Sequence, residues 1–303
     1  MNRGILSGLG AYLIWGFIPI YFKLLHSVPA LEIMFHRVVW SLLFLTILIT
    51  ARQQWGPLLQ AFRQPRLWAI YGLAAVLLAA NWWIYIYGVN SGQVIETSLG
   101  YFINPLLSVV LGVLFLRERP RPIQWLSIGL ALLGVLYLAM QYGRLPWIAL
   151  ALAFSFGFYG LIKKVAPLES LHSLSMETML LFLPALGFLV AQDTNGQGAF
   201  LHSPWNTNLL LVGTGIVTAV PLLLYGSAAR SIPLWMIGLL QYVAPTCQFL
   251  IGVLLYKEPF GSSQLVGFGI IWLALIILSG ESYLYWQRGH KQTGVANALI
   301  NKF

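Results

Sequence analysis

Four stretches of this chain, residues 4–22, 67–89, 98–116 and 123–140, carry no charged residue. Each is close to the ~20 residues a helix needs to cross the ~30 Å hydrocarbon core of a bilayer. Lipid offers no partner to a backbone N–H or C=O, so only helices or closed barrels span it. Barrel strands alternate apolar and polar residues, and these runs do not. Charge is scarce throughout: 59% of the 303 residues are hydrophobic and 8% are charged, against about 25% charged in a soluble domain. The fold class that follows is an all-α integral membrane protein.

Reading from breaker to breaker gives ten transmembrane helices, near 4–24, 31–51, 67–88, 94–116, 123–140, 146–164, 172–192, 208–227, 232–256 and 263–284. The short connections leave no room for a soluble domain. Met1-Asn2-Arg3 before an apolar run imitates a secretory leader, but the run is long and has a counterpart later in the chain, so it counts as the first span. Cys247 is the only cysteine and reads as a small apolar filler in the ninth span; it allows no disulfide or cysteine-based metal site.

With ten spans both termini share one side. That side collects Arg3, Arg52, Arg63, Arg66, Arg117, Arg119, Arg121, Lys163, Lys164, Arg230, Arg288, Lys291 and Lys302, against Lys23, Arg37, Arg144 and Lys257 on the other. Basic residues stay in the cytoplasm, which puts both termini there. The net charge of +9 thereby follows from topology, and no nucleic-acid partner is expected.

The chain also repeats itself. Residues 99–118, LGYFINPLLSVVLGVLFLRE, align without gaps on 239–258, LLQYVAPTCQFLIGVLLYKE, matching Leu99/Leu239, Pro105/Pro245, Gly112/Gly252 and Glu118/Glu258. The match runs on to Gln124/Gln264 and Gly129/Gly269, and upstream Trp15-Gly16-Phe17 resembles Phe156-Gly157-Phe158. The expected organisation is a first five-helix repeat over 1–142, a second over 143–285 and a cytoplasmic polar tail over 286–303. Five spans is an odd number, so the second repeat enters the membrane inverted, a recurrent plan of secondary transporters that rock around a central site. A duplicated scaffold without transport is the alternative.

Glu96-Thr-Ser-Leu-Gly-Tyr-Phe-Ile-Asn-Pro105, Asn81-Trp82-Trp83 and Gly238-Leu-Leu-Gln-Tyr-Val-Ala-Pro-Thr246 resemble the RarD-type branch of the EamA family, in the drug/metabolite transporter superfamily. The resemblance runs from the first span to the tenth. It implies a ten-helix carrier of the bacterial inner membrane whose relatives export amino acids, metabolites or drugs. The branch name is tied to chloramphenicol sensitivity, and the resemblance leaves the substrate open.

Pro105 and Pro245 lack an amide hydrogen and free the carbonyls of Tyr101 and Gln241, groups that must face protein or water. Polar and small residues line the same faces: Tyr101, Pro105, Ser108 and Gly112 in one helix, Gln241, Pro245, Gln248 and Gly252 in the other. Toward Gly112 and Gly252 the better reading is close helix packing. Around Tyr101, Asn104, Gln241, Tyr242 and Gln248 it is a substrate surface. Asn81, Trp82 and Tyr85 of the third span and Trp15 of the first add ring faces and an amide. Such a pocket suits a small amphiphile with a planar or cationic part.

Charges inside the membrane are few and therefore informative. Arg37 and Glu177 lie about two turns into their spans from opposite sides. They suggest two gating or coupling pairs with signs exchanged, Arg37 with Glu96 and Glu177 with Arg230; the plain alternative is helix-end charges snorkelling to water, with Lys163 or Lys164 as alternative partners. His36 is a candidate proton relay or an interfacial hydrogen bonder, and a proton is the candidate coupling ion. Glu118 and Glu258 read as local caps beside basic neighbours.

Other classes fit less well. No nucleophile with its base, HExxH or paired aspartates suggests an enzyme, and no lysine sits deep enough in a helix for a Schiff base. No GxxxxGK[ST] loop occurs, so neither ATP nor another cofactor is expected. A channel-like facilitator stays open, although selective channels favour rings of charge or carbonyls. The expected partners are a small-molecule substrate and the lipid bilayer, the chain acting as a monomer or weak homodimer.

Overall fold

The computed structural model describes residues 3–91, 93–140, 146–257 and 265–281. Among them the elements are helices: α1 (Arg3–Lys23), α2 (Ala30–Ala51), α3 (Trp55–Phe62), α4 (Pro65–Asn90), α5 (Val94–Leu116), α6 (Pro122–Met140), α7 (Trp147–Val165), α8 (Ser170–Thr194), α9 (Trp205–Ser231), α10 (Leu234–Gln241) and α11 (Val243–Leu250), then a π-helical turn Ile251–Leu255 and α12 (Leu265–Glu281). Nine helices among the described residues are long and apolar enough to cross a membrane, counting Leu234–Leu255 as one; α12 is shorter and stands where the tenth span is expected. Glu258, Gln264, Arg144 and the tail 286–303 lie outside the described residues.

Prolines mark the helix starts. Pro65 and Pro122 are the first residues of α4 and α6, where a missing N–H costs nothing. Pro29, Pro146, Pro204 and Pro233 stand one residue ahead of α2, α7, α9 and α10. The ninth expected span is not one helix: it divides at Tyr242, between α10 and α11. Pro245 cannot donate to the Gln241 carbonyl, so the backbone ladder is weakest at that step. Between Arg52 and Pro65, where the sequence reads as a loop, α3 buries Leu58 and Ala61 and packs against α4 and α8.

The contacts sort the chain into two compact units, one holding α1–α5 and α7–α11, the other α6 and α12. In the larger unit the extensive pairings join helices from before residue 118 to helices after residue 145: α5 with α7 and α10, α1 and α2 with α9, α2 with α8, α4 with α7 and α1 with α11. Small residues permit this approach. A side chain at Gly16 would strike Cys247, and one at Gly157 would strike Leu107. Gly238 lies against the Pro105 carbonyl and Ser108. In the smaller unit Gly134 lies against Ile271, and Arg121 pairs with Glu281 at 3.0 Å while Gln124 Nε2 donates to the same carboxylate at 3.3 Å.

Candidate functional site

The larger unit encloses a cavity of about 270 Å³. Trp15, Asn81, Trp82, Tyr85, Tyr101, Asn104, Gln241 and Gln248 all line it, together with Arg37, Tyr12, Phe22 and Phe156. Its walls come from α1, α2, α4, α5, α7, α9, α10 and α11. The weak step around Tyr242 and the proline face of α5 bring Asn104 and Gln241 to the same space.

Rings form one wall. Trp15 lies 5.5 Å from Tyr12, 5.7 Å from Tyr225 and 5.9 Å from Phe156, centroid to centroid, and Tyr85 and Tyr101 meet edge to face at 6.0 Å. The polar groups differ in how far they are committed. Asn81 Nδ2 donates to the Leu152 carbonyl and to Ser155 Oγ, both at 2.9 Å, tying α4 to α7. Gln248 Nε2 donates to the Trp15 carbonyl at 3.1 Å. Asn104 Oδ1 accepts from Ser108 Oγ at 3.4 Å. Gln241 makes no side-chain hydrogen bond among the described residues. The Tyr12 hydroxyl, wholly buried, likewise has no partner among them. Tyr12 has the signal that marks such groups, a hydroxyl on the Trp15 face one turn earlier, and belongs with the candidates.

Tyr242 departs from the expectation. It is buried away from the cavity, and its hydroxyl donates to the Phe102 carbonyl at 3.1 Å. Its neighbour Gln241 takes the cavity face, because adjacent helical residues point about 100° apart.

A second cavity, of about 390 Å³, shares Phe22, Arg37, Trp82 and Tyr85 with the first and continues to Leu25, His26 and Ala30, where α1 ends and α2 begins. Arg37 therefore stands between the two. Its Nε donates to Thr218 Oγ1 at 2.9 Å, and the guanidinium lies 4.5 Å from the Trp82 ring centroid and 5.4 Å from that of Phe22. It does not pair with Glu96, whose Oε1 accepts the Ile148 N–H at 2.6 Å at the start of α7. A carboxylate is well placed there, against the positive end of a helix.

At the other end of α7 and α9, the pairing of Glu177 with Arg230 is also replaced. Lys163 Nζ donates to Glu177 Oε1 at 2.9 Å and to Ser173 Oγ at 2.5 Å, and Tyr159 donates to Glu177 Oε2 at 3.1 Å. Arg230 caps carbonyls instead, those of Ala166 at 2.8 Å and Leu168 at 2.5 Å. One turn of α7 brings Lys163 nearer to Glu177 than Arg230 can reach. Tyr159 stacks on Tyr225 at 6.2 Å, and Tyr225 packs against Tyr12 and Trp15 of the cavity wall.

Two further acids serve as braces. Glu118 is no local cap: Oε1 and Oε2 accept the N–H groups of Leu234 and Trp235, at 2.7 and 3.0 Å, at the start of α10. Glu32, which the sequence did not mark, is buried and accepts the Ala199 N–H at 2.7 Å. His36 accepts from Trp40 Nε1 at 3.1 Å and lies 3.7 Å from Glu32; it lines neither cavity. Among the described residues no cluster of His, Cys, Asp or Glu has the geometry of a metal site.

Fold and cavity define a multi-pass membrane protein with an internal, ring-lined chamber. The chain belongs to the EamA-like transporter family, which matches residues 2–140 and 145–280. It is 47% identical over 281 residues to "Protein RarD" of Streptomyces exfoliatus, covering 93% of this chain and 89% of that one. It is 43% identical over 287 residues to "Protein RarD" of Escherichia coli, covering 95% and 97%, which places it in the RarD-type branch. An uncharacterized transporter of Pseudomonas aeruginosa is 44% identical over 285 residues, covering 93% and 95%. A crystal structure with TM-score 0.69 and 19% identity, covering 91% of this chain and 97% of its own, shares the fold.

Proposed function

We propose that the chain is an inner-membrane secondary transporter that exports a small amphiphilic solute by alternating access. In this reading Trp15, Asn81, Trp82, Tyr85, Tyr101, Asn104, Gln241 and Gln248 form the substrate site. The two repeats enter the membrane with opposite orientations, and both termini are cytoplasmic, as the basic residues suggest. The observation that carries the reading is the cavity itself: it is walled by helices of both repeats and adjoins a second cavity where α1 ends and α2 begins, while Tyr225 and Tyr159 pack behind its Tyr12 and Trp15 wall. An internal chamber walled by both repeats is where an alternating carrier of this plan holds its solute.

The inverted repeat has support of its own. Gly16 meets Cys247 and Gly157 meets Leu107; 247 exceeds 107 by 140 and 157 exceeds 16 by 141, the offset of the Trp15-Gly16-Phe17 and Phe156-Gly157-Phe158 match, so both repeats make the same contact. Reconstitution into vesicles tests the function: saturable flux that accelerates in exchange with solute on the far side marks a carrier, and ohmic single-channel current would replace it with a pore. Single cysteines at Arg63 and Gly196, in a chain with Cys247→Ala, test the topology. An impermeant reagent on intact cells should label position 196 and spare 63; the reverse would overturn the orientation.

A further inference from the structure

We infer that the cavity takes a monoanion, a small carboxylate-bearing molecule with an apolar or aromatic body, which Arg37 recognises. The inference rests on the cavity being the transport site and adds the charge of its cargo. Arg37 is the one charged residue lining either cavity among the described residues. Its Nε is held by Thr218, and its Nη nitrogens make no hydrogen bond to a described residue. The ring of Trp82 holds one face of the guanidinium in place.

A cation in an apolar chamber is costly unless an anion compensates it. Among the described residues no carboxylate lines either cavity. The described carboxylates nearest in sequence or space to such a role are committed elsewhere: Glu32 to the Ala199 N–H, Glu96 to the Ile148 N–H and Glu177 to Lys163. The compensating charge must come with the solute. A guanidinium with two free nitrogens matches the two oxygens of a carboxylate in a forked pair. A single cationic group favours one negative charge over two. The same argument disfavours the cationic cargo that the aromatic residues alone suggest, since the solute would share the cavity with Arg37. The free Gln241 amide leaves a hydrogen-bonding position for a polar substituent on the body.

Three probes of one shape test this: 3-phenylpropionate, its neutral amide, and 3-phenylpropylamine. Titration of the purified protein is followed by tryptophan fluorescence, which Trp15 and Trp82 should report. The acid should bind about tenfold or more tighter than the amide, as a charge-assisted fork predicts, and the ammonium should not bind. Arg37→Gln should bring the acid down to the amide's affinity, while Arg37→Lys, keeping charge without the fork, should retain part of the preference. Equal binding of acid and amide by the unaltered protein, binding of the ammonium, or no acid binding at all would each overturn the inference without appeal to any variant. Failure of the transporter reading looks different. Acid-selective, Arg37-dependent binding with no flux in vesicles would sink transport and leave this site standing. Flux of neutral or cationic solutes insensitive to Arg37→Gln would do the reverse.

Discussion

The hydroxyl of Tyr242 donates to the carbonyl of Phe102 at 3.1 Å, and the two residues are counterparts at the repeat shift of 140. Under the two-fold relation proposed for the repeats, counterparts touch only beside the axis. This hydrogen bond thus lies where α5 and its repeat counterpart α10–α11 cross, one residue from Tyr101 and Gln241 on the cavity face. Tyr242→Phe keeps the ring and removes the bond. It should cost about 1 kcal/mol of stability, read as a lowered midpoint of thermal unfolding in detergent, with solute affinity unchanged because Tyr242 lies off the cavity.

Lys163 and Glu177 form an ion pair with side chains 2% and 0% exposed. Removing one partner leaves the other charge buried, a loss of about 3–5 kcal/mol, whereas an apolar pair of similar volume is often tolerated. Lys163→Met and Glu177→Leu should each abolish or sharply reduce the folded fraction, and the double replacement should recover much of it. A double-mutant cycle on unfolding midpoints checks this; additive losses would show that the two charges do not depend on each other.

Glycines that look alike in the sequence divide sharply in the structure. A methyl on Gly238 would strike the Pro105 carbonyl, a backbone atom that cannot step aside, while nothing lies within 4 Å of one on Gly129 or Gly269. Gly238→Ala should lower the yield of folded, monodisperse protein through α5–α10 packing. Gly129→Ala should be neutral or slightly stabilising, by up to about 1 kcal/mol, because alanine is the better helix former. Size-exclusion profiles and unfolding midpoints of the two variants make the comparison.

The spans were legible because lipid leaves a chain few options: uncharged runs of about 20 residues must be helices, and prolines such as Pro65 and Pro122 mark their starts. The cavity wall was legible for a related reason. Asn104 and Gln241 are expensive in hydrocarbon, so they must face something polar. What stayed hidden is which neighbour each charge chooses. Arg37 turns to Thr218 and Trp82 and Glu118 to the start of α10, while for Glu177 the sequence leaves Arg230 and Lys163 both open and the structure takes Lys163. Those choices depend on helix rotation to within about 100°, the angle that separates Gln241 from Tyr242, and on contacts between residues over a hundred positions apart. Glu32 escaped notice because, at the start of a helix, it looks like any solvated first-turn acid.

Asn81 and Gln241 both line the cavity but differ in their commitments, and that difference separates binding from folding. Asn81 spends its amide hydrogens on the Leu152 carbonyl and Ser155 Oγ, holding α4 to α7, whereas the Gln241 amide is unspent. Gln241→Leu removes a group with no protein partner to strand, so the unfolding midpoint should stay within experimental scatter. If the amide meets the solute, affinity should fall by about 1–3 kcal/mol, because a polar group of the solute is then buried without its hydrogen bond. Asn81→Leu should instead lower the midpoint, by roughly 1–3 kcal/mol of stability, since it leaves buried oxygens with one donor fewer. Calorimetric titration with a transported solute, run beside thermal unfolding on both variants, reads the two axes separately. Unchanged affinity in Gln241→Leu would move the solute's polar interactions off α10 and toward Asn104 on the neighbouring α5.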